Sequence, residues 1–393
     1  MGFTGRKGVR MKAMLLLGSV GLCLVSFCAC EEDQNATVDP KTFHGLPQKD
    51  VEKLPAHILN GGSEASSSEE HTCLMRNSNR AILQVSNTTM KYLTSSLSTR
   101  LIPAVYITVV LVGIPSNAIT LWLLFFRTRL AGTSILYINL ALSDCLFCIM
   151  LSFKIAYHLN GNDWIFGEAM CRAMTVTFYG NMYCSILILM CISISRYLAI
   201  VHPFLYRSLE KRRCAIIQCT LVWAIVFLCM LPFSITKQSY YLDALNVSTC
   251  HDVQNACETS SGFQFYYYIF LAVFGFLVPL AIIIFCCSSI IRTLSTYDQK
   301  WFWYVKMTLL ILTIFAVCFT PSNIVLIIHQ VKYYYTSADD LYFYYLVTLC
   351  LSSLNSCLDP FLYFFMSKIN DQSTSYITMF KISRDAQIRC STE

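Results

Sequence analysis

The sequence is short of charge. Only 13% of its 393 residues are Asp, Glu, Lys or Arg, against about 25% in an ordinary soluble domain. Charge that scarce cannot coat a water-soluble chain of this length, so the length does not translate into two or three globular domains. No basic block is long enough to track nucleic acid, and a formal net charge of +6 is too small to suggest it. Catalytic signatures are missing as well. There is no His-Glu-x-x-His, no phosphate-cradling glycine loop and no Gly-x-Ser-x-Gly elbow, so nothing points to an enzyme. What is present in quantity is apolar and aromatic. Twenty-six Phe and 23 Tyr exclude a disordered, collagen-like or low-complexity chain, and the class that fits is an integral membrane protein.

Arg6, Lys7, Arg10 and Lys12 precede an uncharged apolar run from Ala13 to Phe27, followed by the small residues Cys28, Ala29 and Cys30. That run falls short of the roughly 20 residues that cross a bilayer, so 1–30 reads as a secretory signal peptide. The alternative is an N-terminal membrane anchor. From 31 to 100 the composition turns polar, without periodicity, and predicts an extended, largely flexible arm. Acceptor triplets for N-glycans start at Asn35, Asn87 and Asn246. Seven apolar stretches follow, near 101–126, 134–157, 169–199, 214–235, 264–292, 305–329 and 341–365. Each is long enough to span, and barrel-like alternation is absent. The expected fold is an all-α membrane protein, a seven-transmembrane helix bundle over 101–366 with a flexible extracellular N-terminal arm. An exported N-terminus then puts the 367–393 tail in the cytoplasm. Charge agrees: Arg127, Arg129, Arg207, Lys211, Arg212, Arg213, Arg292, Lys300 and Lys306 fall on the inner side, while the outer loops carry mainly Asp and Glu.

Most of the 20 cysteines lie inside apolar helices, where a thiol packs as a small hydrophobe. Cys73, Cys171, Cys250 and Cys257 lie on the oxidising side. Four cysteines allow three pairings. We expect Cys171–Cys250, with Cys73–Cys257 as the second bridge.

Ionisable groups inside spans are costly, so each is a functional hypothesis. Asp144 and Asp359 lie in the second and seventh spans, with Asn117, Asn355 and Ser185 at similar depth. Two carboxylates with amide and hydroxyl oxygens suit a small hard cation such as sodium. A neutral network with one carboxyl protonated suits them equally. Arg196, about 38 Å of helix beyond Cys171, reaches the inner face beside Tyr197. Pro232, Pro279, Pro321 and Pro360 offer hinges within spans.

Together these residues resemble rhodopsin-like (class A) G-protein-coupled receptors. The matches are Gly113-Ile-Pro-Ser-Asn117, Leu140-Ala-Leu-Ser-Asp144, Cys171, Ser195-Arg196-Tyr197, Trp223, Pro279, Cys318-Phe-Thr-Pro321 and Asn355-Ser-Cys-Leu-Asp359-Pro360-Phe-Leu-Tyr363. Eight in order, with at least one on every helix, leave a transporter or channel little room. Cys250-His251-Asp252-Val253 and Phe153-Lys-Ile-Ala-Tyr-His158 narrow the likeness to the protease-activated receptors, and the arm's Lys41-Thr42-Phe43-His44-Gly45 is similar to a thrombin-cleaved member.

The resemblance implies that thrombin or a related serine protease cuts between Lys41 and Thr42, removing 31–41. It implies that the new N-terminus, Thr42-Phe43-His44-Gly45-Leu46-Pro47, is a tethered ligand on the 42–100 arm. The implied ligand site is His251, Asp252, Tyr179, Tyr342 and Tyr345. Coupling to a heterotrimeric G protein falls to Arg196, Tyr197, Phe319, Pro321 and Tyr363, and the location is the plasma membrane. Allosteric sodium would sit at Asp144, Ser185, Asn355 and Asp359, and no other cofactor is expected. Protease docking would use Asp50 and Glu52, but the segment Asp50-Val51-Glu52-Lys53-Leu54-Pro55 carries Lys53 and lacks the aromatics of thrombin-cleaved relatives. Ser195 stands where relatives have Asp or Asn, and Phe319 where many class A receptors have Trp. These departures and the short tail keep a second role open: a docking or cofactor receptor, in a heteromer with another protease-activated receptor, that presents the protease and signals little itself.

Overall fold

The structure is a computed structural model, and it describes residues 87–126, 132–253, 261–294, 302–336 and 341–368. Among the described residues, seven helices are long and apolar enough to cross a bilayer: Leu97–Phe126, Gly132–Leu159, Gly167–Val201, Lys211–Ile235, Phe263–Leu294, Trp303–Tyr335 and Tyr344–Lys368. In hydrocarbon a backbone can satisfy its polar groups only within itself, which makes helices of these sequences. We call them spans one to seven. The second is the most buried, whereas the first and fourth face largely outward. Their outward residues, Leu111, Trp122, Leu228 and Ile225 among them, are exposed apolar side chains that lipid would cover.

Span one starts earlier than composition suggests. The end of the arm is not extended: a short helix, Asn87–Leu93, precedes a wide turn at Leu97–Leu101 that runs into the span. Tyr92 and Leu93 are buried against the bundle. Asn162 donates to the Leu93 carbonyl at 2.7 Å and to Ser98 Oγ at 2.9 Å, while its own oxygen meets His158 Nδ1 at 2.7 Å. Polar composition alone could not disclose this strap.

Between spans four and five, β1 (Ser239–Leu242) and β2 (Val247–Cys250) form an antiparallel hairpin with Ser239 opposite Cys250. Glu168, at the start of span three, fastens β1. It accepts from Arg172 at 2.7 Å and from the backbone N–H groups of Gln238 and Ser239 at 2.8 Å each. Asn246 lies exposed in the hairpin turn at φ 55°, with the Tyr241 hydroxyl on its side-chain oxygen.

Two of the prolines coincide with a distorted helical ladder. Wide helical turns at Val273–Leu277 and Phe315–Phe319 stand just before Pro279 and Pro321. Such turns relieve a proline that can neither donate nor tolerate the carbonyl four residues back. Thr320 Oγ1 returns a bond to the Phe315 carbonyl at 2.8 Å. Of the twelve free cysteines among the described residues, eight are buried, as expected of filler.

Gly132, where span two begins, abuts the Lys211 backbone at the start of span four, and a Cβ there would overlap the Lys211 carbonyl. Gly132→Val is therefore expected to lower the melting temperature of detergent-solubilised protein, at an overpacking cost of about 1–3 kcal/mol. An unchanged melting curve would show that the two helix starts separate freely.

Candidate functional site

The outer end of the bundle is organised by one covalent bond. Cys171, near the top of span three, is disulfide-bonded to Cys250 at the end of β2, with a Cα–Cα distance of 5.7 Å. The next residue, His251, takes the left-handed conformation at φ 63°, which side chains other than glycine adopt at a cost. Its backbone N–H still reaches the Gln238 carbonyl at 2.9 Å. The chain is thus held to the hairpin while it turns inward, and Asp252 is delivered to the interior at 1% exposure.

The His251 ring joins two elements. Its Nδ1 lies 2.8 Å from Gln238 Oε1 and its Nε2 2.8 Å from the Tyr179 hydroxyl. An amide oxygen can only accept, so Nδ1 donates and Nε2 receives the Tyr179 proton. Tyr345 in turn donates to the Tyr179 oxygen at 3.1 Å, giving a one-way relay Tyr345→Tyr179→His251→Gln238. Burial, reinforced by the nearby Lys154 charge, lowers the His251 pKa to about 4, so the ring is neutral as the relay requires. Tyr342 adds a bond to the His251 carbonyl at 2.6 Å, and Phe233 stacks on Tyr179 at 4.9 Å.

Asp252 is already engaged. Lys154 Nζ, from span two, donates to Asp252 Oδ1 at 2.9 Å and to the Cys250 carbonyl at 3.0 Å. The same ammonium sits 4.7 Å over the Tyr157 ring. Burial alone would raise the Asp252 pKa, but the Lys154 ammonium bonded to the carboxylate holds it below the ordinary value. Beside these groups opens a narrow cavity lined by Tyr92, Tyr106, Lys154, Phe178, Tyr179 and Asp252 among others. The five residues expected around a ligand, His251, Asp252, Tyr179, Tyr342 and Tyr345, therefore do meet. Sequence reasoning does not single out Lys154 or Tyr92 as site residues. Lys154 carries a signal, being an ionisable residue inside a span; Tyr92 carries none, because its burial depends on the strap.

Deeper in the bundle, Asp144 Oδ1 accepts from Asn181 at 3.0 Å and from the Ser356 hydroxyl at 2.8 Å. Asn117 braces the same place through the Ser356 carbonyl at 2.8 Å. Asp144 Oδ2, Ser185 Oγ and both Asp359 oxygens are buried without a hydrogen-bond partner among the described residues. Four orphaned oxygens, two of them on one carboxylate, are a donor set that fits a small hard cation. Asn181 and Ser356, not Asn355, supply the direct bonds to Asp144; Asn355 receives the Ser356 hydroxyl at 3.4 Å instead.

At the inner end, Arg196 has no carboxylate partner among the described residues, and its Nε and Nη2 are unbonded. The Tyr137 hydroxyl faces its guanidinium and lies 3.9 Å from Met307 of span six. Serine at 195 leaves no adjacent acid, and the guanidinium has Tyr137 of span two as a polar neighbour instead. Tyr197 bonds His202 Nε2 at 3.0 Å and packs its ring on Phe285. Phe319 is fully buried against Phe315 at 5.3 Å, and Tyr363 is buried near the end of span seven. Lys41, Thr42, the rest of 42–47, Asp50, Glu52, Asn35, the Cys73–Cys257 pair, the 1–30 segment and the tail lie outside the described residues, as does the Asn87 side chain.

The model of the 7 transmembrane receptor (rhodopsin family) matches residues 116–363. Proteinase-activated receptor 3 of Homo sapiens is 58% identical over 376 residues, spanning 94% of this chain and 100% of the relative. Proteinase-activated receptor 3 of Rattus norvegicus is 50% identical over 93% of this chain and 100% of its own length. Proteinase-activated receptor 2 of Homo sapiens is 39% identical, covering 73% of each.

Proposed function

The chain belongs to the rhodopsin family of seven-transmembrane receptors and, within it, to the proteinase-activated receptors, and from that membership we propose that it is a protease-triggered receptor of the plasma membrane carrying its own ligand. A serine protease, thrombin or a related enzyme, cuts after Lys41. The new N-terminus Thr42–Pro47 folds back into the cavity beneath the hairpin. Tethering makes this step intramolecular, so a weak ligand meets its site at an effective concentration of order mM. The observation that carries this reading is the linked network of His251, Asp252, Tyr179, Tyr342 and Tyr345 beside one cavity, on the side of the bundle where the arm enters.

The N-terminus lies outside the cell and the tail inside, with residues 1–30 removed as a signal and 31–41 released by the protease. Asn35, Asn87 and Asn246 carry glycans, and Asp50 and Glu52 contact the protease. Within the cell a heterotrimeric G protein meets Arg196, Tyr197 and Tyr363, with Phe319 and Pro321 forming the bend that moves. The peptide acts by binding the active state better than the resting one. Asp144, Ser185, Asn355 and Asp359 would hold a sodium ion, whose charge would offset the two carboxylates at rest.

The test is direct. With an epitope placed before Lys41, thrombin should strip the epitope and release calcium, and Lys41→Ala should abolish both. An epitope that stays on disproves the protease assignment. Epitope loss without a calcium response would instead assign the chain a docking role beside a signalling relative, the reading that Ser195 motivates.

A further inference from the structure

We infer that Lys154 is a resident counter-ion which the ammonium of the incoming peptide replaces on Asp252, so that Lys154 sets how strongly the site demands a free N-terminal amine. This rests on the tethered-ligand reading above. Asp252 is the single carboxylate among the residues lining the cavity, and Lys154 the single ammonium; the other titratable groups there are Tyr92, Tyr106, His158, Tyr179 and His251. The site is therefore electrically balanced before any ligand arrives. Its pair is enclosed, with side-chain exposures of 9% and 1%. A second buried cation beside an already matched pair would lack a partner, and an uncompensated buried charge is strongly disfavoured. The newcomer must take the place of Lys154.

The geometry makes that exchange feasible. Lys154 holds two contacts that do not involve the carboxylate, the Cys250 carbonyl at 3.0 Å and the Tyr157 face at 4.7 Å. Its four-carbon stem lets the head swing toward the mouth while the stem stays packed. Lys154 meets only Oδ1 of Asp252; Oδ2 is buried without a bond to the lysine, and the Tyr157 hydroxyl lies beside the carboxylate. An α-ammonium has the same charge and the same three donors as the lysine head it replaces. Because the substitution is one for one, the net charge bound to the carboxylate is unchanged. A pair that merely held the loop in place would treat amine-bearing and amine-blocked peptides alike.

The experiment measures binding of a C-terminally fluorescent Thr-Phe-His-Gly-Leu-Pro peptide to membranes bearing the full chain, with competition by the same peptide free or Nα-acetylated. Surface level is followed with the N-terminal epitope. Lys154→Met should raise the affinity of the free-amine peptide at least tenfold and leave the acetylated one within twofold. Lys154→Arg should lower the free-amine affinity at least fivefold, because a guanidinium grips a carboxylate with two bonds, again without moving the acetylated peptide. Equal shifts of both peptides, or none, would overturn the exchange. Should Lys154→Met fail to reach the surface, the arginine variant decides alone. If the unmodified receptor binds neither peptide, the tethered-ligand reading falls and the exchange falls with it, whereas binding with no Lys154 effect removes the exchange only.

Discussion

Cys250→Ser should leave a receptor that no dose of peptide can occupy. The bridge closes a loop between residues 79 apart in sequence, and the chain-entropy relation for that separation gives about 4–5 kcal/mol of stability lost on its removal. That is comparable to the entire stability of a marginal domain. The local consequence is sharper. Cys250 anchors the strand whose next residues, His251 and Asp252, are turned inward only because the hairpin is held at both its Cys250 and Glu168 attachments. Released, His251 has no reason to keep its left-handed turn, and Lys154 loses a carbonyl and a carboxylate together. Cys171→Ser should match Cys250→Ser, and the double variant should be no worse than either, since one bond is lost in all three. Surface epitope and peptide binding measured side by side decide the matter; a double variant with near-normal binding would show that Glu168 suffices.

Tyr179→Ala should have the next largest effect. The ring is buried, stacks on Phe233 at 4.9 Å and carries the middle of the hydrogen-bond relay. Truncation opens a cavity at a cost of about 3–5 kcal/mol and strands His251 Nε2 and the Tyr345 hydroxyl. Tyr179→Phe separates the two contributions. It keeps the stack and removes only the hydroxyl, whose bonds are worth about 0.5–1.5 kcal/mol each. We expect the alanine variant to abolish peptide binding and the phenylalanine variant to weaken it roughly tenfold, the equivalent of one or two such bonds. Equal losses in both would mean that the relay, not the ring, carries the site. Equal retention would remove Tyr179 from it.

How much can be read in advance differs from residue to residue, for physical reasons. The seven spans are legible because hydrocarbon leaves a backbone one solution, and the observed helices match the apolar stretches to within a few residues at most ends. The Cys171–Cys250 bridge is legible because few cysteines face the oxidising side. The meeting of Tyr179, Tyr342 and Tyr345 with the His251 loop follows only from the family likeness, since tyrosines near span ends serve equally as an interfacial belt. The Lys154–Asp252 pair is hidden in the sequence. A lysine near the outer end of a span reads as a snorkelling anchor until the loop that covers it is in place. The helix Asn87–Leu93 is hidden for a related reason: seven residues have too little propensity to fold alone, and tertiary burial of Tyr92 and Leu93 supplies what is missing.

The strap at the arm's end also determines where mechanical load travels. Asn162 grips the Leu93 carbonyl and Ser98, and is gripped in turn by His158. A pull on the arm, as from a protease bound to it, therefore reaches span two through Asn162 and His158 as well as span one through the backbone. Span two is also the helix that presents Lys154 to Asp252. The arm's anchor and the Lys154–Asp252 pair thus share one helix as their support.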